Sequence, residues 1–193
     1  QEESEDSEVS YCKPPYKDIV VPSPEDLKRY REKELVAHNA YRRNHGYNPL
    51  ILNETLNNYA QNHCECLASK DQKLLQHSDW DAMTNLTGDG VRTGENLAMN
   101  WGMITFDTLN ASGKWYEEIS NYDYNTCGQK NKYGMAVGHF IQMIWKEGTI
   151  VGFGYAESKS GVRFVCANYN PRLNYNKEVC KANVTPPLAD SAT

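Results

Sequence analysis

Cys64 and Cys66 stand two residues apart inside a stretch that reads as an amphipathic helix, and this spacing tightly restricts how the chain can fold. At about 100° per residue the two side chains point about 160° apart, on opposite flanks of the helix's buried stripe. They cannot hold one ion together, so each must reach a different segment. Cys12, Cys127, Cys166 and Cys180 bring the total to six cysteines, an even number that permits three disulfides in many connectivities. No C-x-x-C pair occurs to favour a metal knuckle. Cys12 and Cys127 are the expected partners of the helix pair, leaving Cys166 to Cys180, with the other connectivities open.

Four N-x-S/T triplets, at Asn53, Asn85, Asn110 and Asn183, are candidate glycosylation sites. Together with the cysteines they point to a secreted, extracellular protein. A first residue of Gln rather than Met agrees with a removed leader. The formal charge is −5, and five acids sit in residues 1–8 without a base. The remainder is balanced, which argues against a nucleic-acid partner, whose surface needs a basic excess. No run approaches the ~18 apolar residues of a membrane span, so no transmembrane segment is expected.

Six of the eight prolines lie outside residues 25–185. Residues 1–22 read as an acidic, proline-containing arm tied by Cys12, 23–180 as one folded domain, and 181–193 as a flexible tail. Ser23-Pro24-Glu25-Asp26 is a helix start, with a Ser cap, Pro in the first turn and acids behind it, for a helix running to Asn44. Asn53 caps a second helix whose apolar face is Leu56, Tyr59, Ala60, His63 and Leu67. Further helices are expected near 105–119 and 137–146. Strands are expected at 150–158 and 162–170, joined by a hairpin at Lys159-Ser160-Gly161, and at Gly94–Ala98. Helices and antiparallel strands in separate blocks make an α+β layered fold. His38, His45 and His63 read as helix or loop residues, and Arg42-Arg43 as a solvated pair.

Gly138-His139-Phe140-Ile141-Gln142-Met143-Ile144-Trp145 resembles one signature of the CAP superfamily, which contains cysteine-rich secretory proteins, insect venom antigens and plant pathogenesis-related proteins. Phe164-Val165-Cys166-Ala167-Asn168-Tyr169-Asn170-Pro171-Arg172-Leu173-Asn174-Tyr175 resembles a second. His77-Ser78, Gly94-Glu95-Asn96-Leu97, Trp115-Tyr116-Glu117-Glu118-Ile119, His38-Asn39-Ala40-Tyr41-Arg42 and Pro49-Leu50 agree and come in the family's order. The resemblance covers about residues 27–175, is nearest to the venom-allergen-like secreted members, and makes 23–180 a CAP-like domain. It implies an α-β-α sandwich with a central antiparallel sheet between helix layers. It also implies a cleft of two histidines and two acids, which fall on His77, Glu95, Glu118 and His139. Two departures stand out. Ile141 replaces the usual Thr or Ser, and Ala167 fills the second signature's cysteine position, with Cys166 one residue earlier. In a strand that shift moves the thiol to the opposite face.

Such a tetrad can bind a divalent cation, zinc or magnesium, with the histidines the main donors. Alternatively each carboxylate orients an imidazole by hydrogen bonding. No H-E-x-x-H and no G-x-S-x-G occurs, and the resemblance implies no general catalytic activity, so no enzyme is expected. The family resemblance implies binding of sterols, fatty acids or related lipids, as by some members of the family. Met99, Trp101, Met103, Ile104, Phe106 and Leu109 form an adaptable apolar stretch between Gly94 and Trp115, and Val36 projects away from the first helix's Leu27–Tyr30–His38–Tyr41 face. An apolar groove would use both features for lipid sequestration or export. The competing expectations are an extracellular protein-interaction or immunomodulatory module and a metal-dependent hydrolase.

Overall fold

The structure is a computed structural model and describes residues 12–103 and 109–189. The chain runs β1 (Ile19–Val20), α1 (Pro24–Asn44), β2 (Ile51–Leu52), α2 (Glu54–Ser69), β3 (Gly94–Asn100) and α3 (Ala111–Glu117). A 3-10 turn (Glu118–Asn121) leads to β4 (Tyr122–Asp123), β5 (Gly128–Gln129), α4 (Gly138–Ile144), β6 (Ile150–Ser158), β7 (Arg163–Asn170) and α5 (Lys177–Asn183). Both expected caps form: the Ser23 side chain accepts from Asp26 N and the Asn53 side chain from Leu56 N. α3 starts later than expected because Asn110 caps it by accepting from Gly113 N. The expected earlier turn lies partly outside the described residues.

The main sheet is ordered β1-β6-β7-β3 with antiparallel pairs, and β2 joins β6 in parallel. Its side chains alternate between two cores, as a pleat requires. Leu97, Ala156, Phe164 and Cys166 face α2 with Ala60, Cys64 and Leu67. Val151, Phe153, Tyr155, Val165, Ala167 and Tyr169 face the opposite way, toward Tyr30, Trp115 and the apolar residues of α4. Helices thus cover both faces, which is the expected α-β-α sandwich. The α2 layer is unusually close. A Cβ on Gly152 would lie 2.1 Å from the carbonyl carbon of Leu56, and one on Gly154 2.5 Å from that of Ala60.

α1 differs from expectation in what it buries. Its inward residues Tyr30, Glu34, His38 and Arg42 are spaced four apart and are mostly polar. Arg42 is fully buried rather than solvated, whereas Arg43 is exposed. The reason is geometric: Arg42 falls on the inward stripe, beside the chain leaving α4, whose carbonyls need donors. Its Nε donates to Asn48 O at 2.8 Å, and its terminal nitrogens donate to Met143 O (3.4 Å), Trp145 O (2.7 Å), Lys146 O (3.3 Å) and Gly148 O (3.2 Å). Burial lowers its pKa to about 10, which leaves it charged at neutral pH.

Both ends of the chain are more integrated than an arm and a tail. Ile19 and Val20 pair with Ser158 and Glu157 of β6. Val184 is buried, Thr185 N donates to the Tyr47 hydroxyl at 2.7 Å, and Leu188 N donates to Asn44 O at 2.8 Å. Residues 1–11 and 190–193 lie outside the described residues, the acidic run among them. Asn183 is 2% exposed, its Nδ2 donates to Val179 O and its Oδ1 accepts from Glu147 N. The folded chain therefore has no room for a glycan there, and that expectation is overturned. Asn53, Asn85 and Asn110 are not buried in this way.

The cysteines follow the expected scheme for Cys12, which pairs with α2, and depart from it for the rest. Cys12 is disulfide-bonded to Cys66. Cys64, on the other flank of α2, meets Cys166 of β7 as a hydrogen-bonded thiol neighbour, both fully buried. Cys127 and Cys180 are thiol neighbours in the other core, where the Tyr122 hydroxyl lies 3.4 Å from Cys180 Sγ. Cys166 and Cys180 belong to different cores, which excludes their expected pairing, and Cys127 cannot serve α2. The shift from position 167 to 166 explains this, because only 166 faces α2.

Two outcomes are expected. Peptide mapping after oxidation with glutathione disulfide should join Cys64 to Cys166 and Cys127 to Cys180 and should never join Cys166 to Cys180. Arg42→Ala should cost about 3–5 kcal/mol in urea unfolding, since it strands several buried carbonyls.

Candidate functional site

A cleft of about 270 Å³ opens at the edge strand β3, lined by His77, Ser78, Trp80, Met83, Glu95, Asn96, His139, Gln142, Arg172, Leu173 and Tyr175, among others. The alternation of β3 explains its construction. Glu95 shares the α2 face with Leu97, whereas Asn96 shares the opposite face with Ala98. The cleft therefore wraps the sheet edge, with one histidine–carboxylate pair coming from each face.

On the α2 side, Glu95 Oε1 accepts from Ser78 N at 2.8 Å and lies 2.9 Å from His77 Nδ1. Oε2 accepts from Ser78 Oγ at 2.6 Å and from Asn168 Nδ2 at 3.1 Å; Asn168 is the cross-strand partner of Glu95. Burial pushes this carboxyl up, but His77, the nearby His63 and the two Ser78 donors outweigh it, so its pKa falls below the ordinary carboxylate value. On the other side, the 3-10 turn presents Glu118. Its Oε2 lies 2.7 Å from His139 Nδ1, and its Oε1 accepts from Phe140 N at 3.1 Å. Val137 gives α4 no side-chain cap, so Glu118 does that work while it orients His139. The Trp115 ring stacks on His139 with centroids 5.9 Å apart and planes 17° from parallel.

Of the four residues, His77, Glu95 and His139 line the cleft and Glu118 is held behind His139, so they meet as two dyads. In each, Nδ1 is held by a carboxylate and Nε2 is the nitrogen left for a ligand. The carboxylate oxygens are already occupied by hydrogen bonds. Among the described residues no group of three or more His, Cys, Asp or Glu side chains converges as a metal-binding set. Ile141 is buried in the core and does not line the cleft, so the lost hydroxyl leaves the cleft wall unchanged. The Ser78 hydroxyl donates to a carboxylate rather than to an imidazole.

Sequence reasoning missed two histidines. His63 Nε2 bonds Gln76 O at 2.7 Å and lies 3.9 Å from Glu95 Oε1. His38 is fully buried at the head of a chain that ends at the cleft. Its Nδ1 lies 2.9 Å from Glu34 O and 3.0 Å from Ser112 Oγ, and the Ser112 hydroxyl donates to Glu34 Oε2. Its Nε2 lies 2.7 Å from the Tyr169 hydroxyl, which accepts from Asn96 Nδ2 at 3.3 Å. Asn96 Nδ2 also donates to His139 O at 3.0 Å. Desolvation lowers the His38 pKa to about 3, so the ring is neutral, and the network fits a proton on Nδ1 with Nε2 accepting from Tyr169. The Ser112–His38–Glu34 set has the residue types of a hydrolytic triad but is sealed from solvent. Its sequence signals were the four-residue spacing of Glu34 and His38 on α1 and the family-like run that begins at His38; nothing pointed to Ser112.

The apolar residues expected to bind lipid are not gathered in one groove. Leu109 is packed in the core beside α3, and Met99 packs against the α2-side core. Val36 is 69% exposed on α1, while Trp101 is 51% and Met103 100% exposed just after β3. Ile104 and Phe106 lie outside the described residues.

A three-layer α-β-α fold with two histidine–carboxylate dyads at a sheet edge defines the class of protein. Residues 35–169 match the family described as CAP, the cysteine-rich secretory protein family, and the chain belongs to it. It is 35% identical over 161 residues to the Golgi-associated plant pathogenesis-related protein 1 of Homo sapiens, which covers 83% of this chain and 95% of that protein. It is 35% identical over 150 residues to pathogenesis-related protein 1A1 of Solanum lycopersicum, covering 75% and 73% respectively. Among solved structures, NaASP2 with Zn2+ superposes with a TM-score of 0.56 at 20% identity, covering 78% of this chain and 82% of that one. BmVAL-1 does so with a TM-score of 0.53 at 18% identity, covering 79% and 80%. At these identities the two structures speak for the fold.

The buried neutral His38 has a consequence for pH. Its folded pKa lies below the unfolded value of 6.5, so its contribution is fully present above pH 6.5 and is lost as pH falls toward 3. Unfolding free energy should fall by up to ~1.4 kcal/mol per pH unit from this group alone. The difference between the wild-type and His38→Gln slopes in urea titrations from neutral to mildly acidic pH checks it; equal slopes would contradict the assignment.

Proposed function

We propose that this CAP protein is an extracellular, non-enzymatic binder of a small hydrophobic ligand, a sterol, fatty acid or related lipid. The observation that carries the reading is the end of β3, where Trp101 and Met103 stand two residues apart and largely in water. Large apolar side chains held out together mark interaction sites, and a thioether beside an indole suits an adaptable one. The Lys73 ammonium sits 4.4 Å from the Trp101 ring centroid, a position suited to a fatty-acid carboxylate. Secretion is supported by the Cys12–Cys66 disulfide and by the family's secretory description, while the human relative's name places that protein at the Golgi. A binding rather than a catalytic role is supported by the hydrogen bonds already occupying both carboxylates and by the Ser78 hydroxyl, which donates to Glu95.

A cation at the cleft is a second reading, favoured by the two imidazoles whose Nδ1 atoms are already held. The Nε2 atoms of His77 and His139 would hold zinc, with Glu95 and Glu118 acting through the rings rather than as direct ligands, whereas magnesium would need the carboxylate oxygens that hydrogen bonds already occupy. The ion would supply a positive charge for ligand binding.

Titration with a fluorescent sterol and a fluorescent fatty acid tests the lipid reading. Wild type should saturate with at least one probe, and Trp101→Ala with Met103→Ser should weaken binding about tenfold or more. Failure of wild type to bind either probe would leave the protein-interaction alternative standing and remove the lipid role.

A further inference from the structure

Beside the cleft, Trp80 carries two guanidinium groups. The Arg172 Cζ lies 3.6 Å from its ring centroid and the Arg92 Cζ 4.0 Å. The backbone locks the pair together, because Arg172 N donates to Arg92 O at 2.8 Å. Among the described residues neither guanidinium has an ion pair or a side-chain hydrogen bond to an acid. Two of the acids close by in sequence, Asp79 and Asp89, are committed elsewhere, and Asp81 makes no ion pair with either arginine among the described residues. Asp79 Oδ1 accepts from Asp81 N and Ala82 N, and the Asp89 carboxylate accepts from Val91 N and Asn170 Nδ2. Burial and the like charge of Arg92 together lower the Arg172 pKa. Two like charges held on one indole without a counter-ion repel each other, so an anion that bridged them would be stabilised.

The surroundings provide room for one. Arg92 and Arg172 line a groove of about 320 Å³ with Asn174 and Tyr175, and Arg172 and Tyr175 also line the histidine cleft. We propose that Arg92 and Arg172, braced on Trp80, form a binding site for a tetrahedral oxyanion, the sulfate or phosphate group of a ligand whose remaining part enters the cleft. A planar guanidinium fork matches two oxygens of such a group, and two forks match its double charge. Stacking on Trp80, which is 42% exposed, fixes both forks in advance and lowers the ordering cost of binding. The site is independent of the lipid reading, since it shares none of the residues around Trp101.

Calorimetric titration of the full chain with inorganic sulfate and with inorganic phosphate tests it at low ionic strength. Acetate is the planar control and chloride the salt control, and the indole fluorescence change is followed in parallel. Saturable binding of at least one tetrahedral anion is expected, tighter than acetate or chloride. Arg92→Ala and Arg172→Ala should each weaken it about tenfold or more. Arg172→Lys should recover only part of the loss, because the ammonium keeps the charge and not the fork. Tighter sulfate would point to a sulfated ligand and tighter phosphate to a phosphorylated one, and either upholds the site. Melting temperatures of the single variants near the wild-type value show that the fold survives. The proposal is overturned if wild type shows no saturable response, if chloride produces the same one, or if the double alanine variant binds as wild type does.

Discussion

The Arg42 guanidinium is withdrawn wholly from water and surrounded by carbonyl oxygens of the loop after α1 and of the chain leaving α4. A buried cation is costly unless it is fully hydrogen-bonded, so this arrangement is close to all-or-none. It fixes the C-terminal end of α1 against the C-terminal end of α4. The opposite end of α4 carries His139 and is held by Glu118. Between the two anchors a seven-residue helix, too short to persist by itself, is held in one position. The cleft geometry depends on that placement.

Polar contacts recur along the same line. The inward stripe of α1 supplies Glu34 and His38 as well as Arg42, and Tyr169 and Asn96 carry the chain of hydrogen bonds across the sheet to the His139 carbonyl. A network buried this deeply specifies position more than it adds stability, because an unsatisfied member would cost more than a satisfied one contributes. On the α2 face the constraint is steric: Gly152 and Gly154 let the helix backbone approach β6, and only the absence of side chains permits it. One face of the sheet is therefore positioned by hydrogen bonds and the other by close packing, and β3 is the edge where the two meet.

Much of the frame was legible in the residues. Ser23, Asn53 and the alternating run from Ile150 to Asn170 announce their elements because caps and pleats are local physics. The tetrad was legible through resemblance. The state of its carboxylates was not, since the hydrogen bonds that occupy Glu95 come from residues 17 and 73 positions away. Arg42 was misread for a related reason. Its polarity suggests solvent, and only the position of α4 reveals carbonyls in want of a donor.

The sequence by itself determined the elements, their family and the opposed directions of Cys64 and Cys66, because helical geometry sets that angle locally. It also required that moving a cysteine from position 167 to 166 turn the thiol to the other face of a strand. The tertiary structure alone decided which thiol each cysteine meets, that His63 and the His38 network adjoin the tetrad, and how two arginines come to share Trp80. Those outcomes depend on the stacking of layers across long stretches of chain. No local periodicity carries the distance between residues that meet only once two faces of a sheet are covered.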